Sequence, residues 1–102
     1  MELIVQIVRF VDDHQPGWAE CEFIDAEGRK HRFVDKVPIF SAERLDAAST
    51  YPRAGGIAGE VVARWKDAQG RELVRVTTAR PYPIESTEGV SEFVVLDEQL
   101  ST

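Results

Sequence analysis

Cysteine is nearly absent from this chain: Cys21 stands alone, so no internal disulfide can form and no thiolate cluster can hold zinc. Long apolar runs are absent as well, and none approaches the roughly 20 residues that a membrane-spanning helix needs. The apolar start over residues 3–8 follows Glu2 instead of a basic leader and lacks a small-residue cleavage site. It reads as a first strand, and the cytoplasm is the expected compartment. Basic charge is in deficit, with 12 Lys and Arg against 18 Asp and Glu, a formal net charge of −6. Such a chain is repelled on average by a duplex or an anionic membrane. Neither nucleic acid nor membrane is an expected partner, whereas another protein, and a basic one, is.

What remains is an ordinary globular composition, 43% hydrophobic and 29% charged over 102 residues. That predicts a single β-rich domain spanning 1–102. Residues 2–11 are apolar on both alternating faces, which suits a strand covered on both sides or crossing between them. Asp12 to Gly17 breaks it, and a second strand runs from Trp18 to Ile24.

The most informative feature is a repeat. Asp25-Ala26-Glu27-Gly28-Arg29 recurs as Asp67-Ala68-Gln69-Gly70-Arg71, each copy flanked by β-like sequence. The pattern predicts a type I turn closed by a left-handed glycine, the turn of a bulged hairpin. It sets a register in which Trp18 faces Lys36, Cys21 faces Phe33, Glu22 faces Arg32 and Phe23 faces His31. In the second copy Lys66 faces Glu72, Trp65 faces Leu73 and Val62 faces Val76. The expected core faces are then Ala19, Cys21, Phe23 and Phe33 in the first hairpin, and Val61, Ala63, Trp65 and Leu73 in the second. Asp35 opposite Ala19 and Arg75 opposite Ala63 fit this scheme poorly.

Elsewhere, Ser41 is an expected N-cap for two helical turns over residues 41–48. Residues 51–56 read as loop, and 80–84 as extended because each proline disfavours helix in its predecessor. Residues 85–89 turn, 91–96 form a last strand, and the tail from Asp97 is expected to fray. The fold class is therefore mainly β: a small antiparallel barrel or roll of about six strands, with two similar hairpins and at most one short helix. In architecture alone this resembles small barrels such as the oligonucleotide-binding fold, and fold does not carry function.

Candidate chemistry is sparse. Cys21, among Ala19, Phe23 and Phe33, reads as a small core residue, not a nucleophile. Asp12, Asp13 and His14 are ligand-type residues, but three neighbours on one turn are expected to diverge, so no metal is expected. Arg29 to Arg32 is the one basic run, and alternation splits it between two faces. The glycines at 55, 56 and 59 lead into a strand, so they lack the helix N-terminus of a phosphate loop. No catalytic set and no cofactor motif is present. If the two hairpins lie side by side in the same sense, loops 12–17, 36–56 and 80–90 gather at one end. They would then bring together His14, Trp18, Tyr51, Arg53, Arg80 and Tyr82, residue types enriched at binding hot spots. The expected function is a non-catalytic protein-binding domain, an inhibitor or immunity-type partner of a basic protein. The alternative is a small-anion-binding or enzymatic barrel using His14, Arg53 and Arg80.

Overall fold

The computed structural model describes residues 1–101, as eight strands in two antiparallel sheets with one short helix. The first sheet holds β1 (Glu2–Asp12), β2 (Trp18–Ile24), β3 (Lys30–Lys36) and β4 (Arg53–Ala58) in the order β3-β2-β1-β4. It also holds β8 (Leu100–Ser101), which pairs with the start of β1. The second sheet is β5-β6-β7, with β5 at Glu60–Lys66, β6 at Glu72–Thr77 and β7 at Glu92–Leu96. The helix, α1, is the single turn Val37–Phe40. The two strands beyond the expected six are β4, which the glycines disguised as loop, and β8, which the chain end disguised as a frayed tail.

Both repeat turns form as expected. In each, the aspartate backbone N–H donates to the carbonyl of the arginine four residues on, and its Oδ1 accepts two N–H groups at 2.9–3.0 Å. Gly28 and Gly70 take φ of +84° and +81°, which an L side chain adopts only with strain. Ser86 to Val90 builds the same device a third time, with the Ser86 hydroxyl in place of the carboxylate and Gly89 at φ +78°.

The first hairpin has the expected register throughout, and Ala19, Cys21, Phe23 and Phe33 are all buried. The second does not bury the expected face. All seven residues of β5 are exposed, Trp65 by 38%, and the inward positions are Val74 and Val76 on β6. Of the expected set only Leu73 is buried, and it sits on the outer face of that sheet, opposite Trp65. A bulge between Val61 and Ala63 also sets Val61, not Val62, opposite Val76. The reason is that turn chemistry decides which residues face each other across a hairpin but not which side meets the core. With the faces exchanged, Arg75 is no misfit: its guanidinium lies over the Trp65 ring, 5.9 Å from the centroid, on the solvent side.

β1 explains its own double pattern. Leu3, Val5 and Ile7 are buried while Ile4 is 44% exposed, and a bulge between Ile7 and Arg9 then shifts the phase so that Phe10 reaches the core. Residues 41–48 form no helix. Ser41 is extended and its Oγ accepts the Glu43 N–H, while Asp46 Oδ1 accepts the Ala48 N–H; these local bonds compete with helical ones. Residues 80–84 are not extended either. The Arg80–Pro81 bond is cis, and the Ile84 N–H turns back to the carbonyls of Tyr82 and Thr78.

Gly59 joins the sheets. Its N–H donates to the Met1 carbonyl, and a Cβ there would lie 2.6 Å from the carbonyl oxygen of Thr77, the end of β6 that pairs with Glu60, so the neighbouring strand lies too close for any side chain. From Gly59, beside the start of β1, the second hairpin reaches to the tip of the first, where Arg71 Nη1 donates to the Ala26 carbonyl at 3.1 Å. It therefore runs across the first sheet. Between the sheets lies one core of Leu3, Ile7, Phe33, Ile57, Val74, Val76 and Val95, sealed by Phe93 against Phe23 and Phe33. Each large side chain fully withdrawn there contributes about 1.5–3 kcal/mol of transfer free energy.

Candidate functional site

A cleft built by loops lies at the far end of β1. Asp12 Oδ1 accepts the His14 N–H at 2.8 Å and so starts a tight turn, which Gly17 closes at φ +96° by donating to the His14 carbonyl. The Gly17 carbonyl accepts the Val37 N–H at 2.9 Å, which fastens this turn to α1. Beyond α1, the chain from Ser41 folds back over the same end, because the short side-chain bonds of Ser41 and Asp46 curl it. A cleft of about 530 Å³ is left between the two loops. Phe10, Val37, Pro38 and Leu45 give it apolar walls, and Asp13, Glu43 and Asp46 give it negative charge, with Arg44 the basic side chain among its lining. A neighbouring depression shares Phe10, Asp13 and Asp46 and adds Asp12. The whole end is concave and acidic.

Of the six loop residues expected to cluster, four lie toward this end, but none of them lines either depression. His14 is exposed, and its Nδ1 lies 2.8 Å from Asp12 Oδ1. Trp18 is half-buried where β2 begins, opposite Asp12. Tyr51 and Arg53 brace the second loop: the Tyr51 hydroxyl donates to the Asp46 carbonyl at 2.7 Å, and Arg53 pairs with Glu43 at 2.9 Å. Arg80 and Tyr82 are elsewhere. Arg80 pairs with Glu60 at 3.0 Å, next to Gly59 and hence beside the opposite end of β1. Eleven residues of strand separate the two ends, roughly 30 Å at the usual rise. Tyr82 is 59% exposed on that distant loop. The loops do not all gather at one end, because the second hairpin crosses the first and does not run beside it.

Asp12, Asp13 and His14 do not diverge as expected. Their ligand atoms lie within 4.8 Å of one another, because the Asp12 side chain draws His14 back over it. The His14 backbone N–H, then its ring, hold the Asp12 carboxyl below the usual carboxylate range. The hydrogen bond to Asp12 in turn raises the His14 pKa above its ordinary value. All three are solvent-exposed, and the internal bond already uses one donor atom from two of them.

Other titratable groups are structural. Cys21 is fully buried, and burial pushes its thiol up and away from reactivity. His31 is shut between Phe23 and Phe93, with Nε2 2.8 Å from Asp25 Oδ2. Burial pushes the Asp25 carboxyl up, but hydrogen bonds from His31 and from the Arg29 and Glu27 N–H groups outweigh it and leave it low. In the basic run His31 is buried while Arg29, Lys30 and Arg32 are exposed, and Lys30 and Arg32 both approach Glu22.

Sequence reasoning missed Glu43, Arg44 and Asp46 as site residues because it placed them on a helix. The signal was present in Ser41 and Asp46, side chains that make turns as readily as caps. Among known protein families, curated proteins and solved structures, none matches this chain.

Proposed function

We propose that this chain is a non-catalytic protein-binding domain whose partner is basic, and that the loop end of β1 is the binding surface. One observation carries the reading: a cleft with apolar walls at Phe10, Val37 and Leu45 is lined by Asp13, Asp46 and Glu43, the last paired with Arg53, against the one basic side chain Arg44, on a chain of net charge −6. Apolar walls suit the methylene stems of lysine and arginine, and the carboxylates suit their charged ends. Acidity of the whole chain adds steering toward a cationic surface. An inhibitor or immunity-type role is the form of this function that needs no catalytic group. We take the two sheets, linked through Gly59, as a roll that holds the loops rigid.

The small-anion alternative draws less support. Arg53 and Arg80 are each paired with a glutamate and lie near opposite ends of β1, so they do not converge on one ligand.

The test is capture from the native host on the immobilised chain, with Asp13→Asn/Asp46→Asn as the control surface. Proteins held by the natural chain, released by salt and lost on the double variant are the expected result. Equal capture by both surfaces, or a partner with no basic face, would remove this reading.

A further inference from the structure

We propose that β5 pairs edge to edge and antiparallel with β5 of a second copy of this chain. Two of the outer strands, β3 and β7, are tied along their free edge to another part of the chain. The Thr87 N–H donates to the Arg32 carbonyl on β3 at 2.8 Å, and the Ala26 N–H to the Val94 carbonyl on β7 at 3.0 Å. The edge of β5 that faces away from β6 has no backbone hydrogen bond among the described residues. β5 is also exposed on both faces, with Val61, Val62 and Trp65 each between 38% and 47% accessible. An open edge flanked by exposed apolar side chains is a template for another strand.

Charge selects a second copy as that strand. β5 begins with Glu60, which Arg80 of the same chain approaches at 3.0 Å, and ends with Arg64, which pairs with Asp97 of the same chain, and Lys66, which has no ion pair among the described residues. A two-fold, antiparallel contact sets the acidic end of each copy against the basic end of the other, at both ends of the interface. The hairpin from Glu60 to Thr77 carries one more basic than acidic side chain, so copies of an otherwise acidic molecule meet where they repel least. The bulge between Val61 and Ala63 shortens the regular ladder, which makes the association reversible and concentration-dependent. This surface lies at the opposite end of β1 from the acidic cleft, so it stands or falls independently of the proposed function.

Sedimentation equilibrium on the purified chain, from micromolar to millimolar concentration, tests it. A monomer–dimer equilibrium is expected, weakened by roughly tenfold or more by Glu60→Lys or Lys66→Glu alone, because the two-fold makes each exchange turn two interfacial charge pairs repulsive. The double exchange Glu60→Lys/Lys66→Glu should restore it. Hydrogen exchange on the natural chain gives a readout free of substitutions: β5 amides should gain protection at high protein concentration. A chain monomeric throughout, a dimer indifferent to all three variants, a double variant that fails to restore pairing, or β5 amides equally unprotected at both concentrations would each overturn the proposal.

Discussion

Asp25 shows how much one side chain settles here. Its Oδ1 closes the first repeat turn through the Glu27 and Arg29 N–H groups, and its Oδ2 receives His31 at 2.8 Å from inside the aromatic cluster. Asp67 closes the second turn in the same way, but its Oδ2 takes the exposed Arg71 guanidinium instead. The same five-residue pattern therefore has a buried anchor in one copy and a solvated one in the other. Because the folded Asp25 pKa lies below its ordinary 3.8, the carboxylate stabilises the fold above that value, and the contribution is lost as pH falls through the lower folded value. Asp25→Asn should therefore be less stable than the natural chain near neutral pH, with the gap narrowing below about pH 3.8. Urea denaturation at a series of pH values measures it, and a gap that widens on acidification would contradict this assignment.

At the scale of elements, the tail is the clearest departure from sequence expectation. A 3₁₀ turn at Asp97–Gln99 brings Gln99 to donate to the Ile24 carbonyl at 2.7 Å, and β8 then lies beside Glu2 and Leu3, with Leu100 packed on the core. Leu100→Ala should cost about 2 kcal/mol, the low end for a leucine that is only partly enclosed. An unchanged urea midpoint would show a frayed tail instead. The first hairpin was legible to the residue because turn chemistry and hydrophobic alternation agree there. In the second they agree on register only from Ala63 to the turn, since the bulge sets Val61 in place of Val62 opposite Val76, and they disagree on burial: Trp65 and Leu73 look like a core pair, yet Val74 and Val76, one step out of phase, take the core. The loops of the candidate site were legible only as loops. Arg80 and Tyr82 could not be separated from His14 and Tyr51 without knowing that one hairpin crosses the other.

At the scale of the molecule, the two sheets share one core, and Phe93 is its hinge pin. It meets Phe23, Phe33 and His31 with ring centroids 4.7–5.8 Å apart, edge on or steeply tilted to each. Phe93→Ala should lower stability by about 3 kcal/mol or more while leaving a single transition, because neither sheet has a second core to fall back on. Separate unfolding steps seen by tryptophan fluorescence and far-ultraviolet circular dichroism would refute the shared core. The amino-acid order by itself determined the strands that alternate cleanly, the turns whose glycines and aspartates permit one backbone path, the burial of Cys21, and the acidic character of the chain. Tertiary structure alone decided which face of the second hairpin is dry, that the tail is a strand, and which loops share an end. Local chemistry acts over a few residues, whereas burial is a property of whatever the rest of the chain packs against.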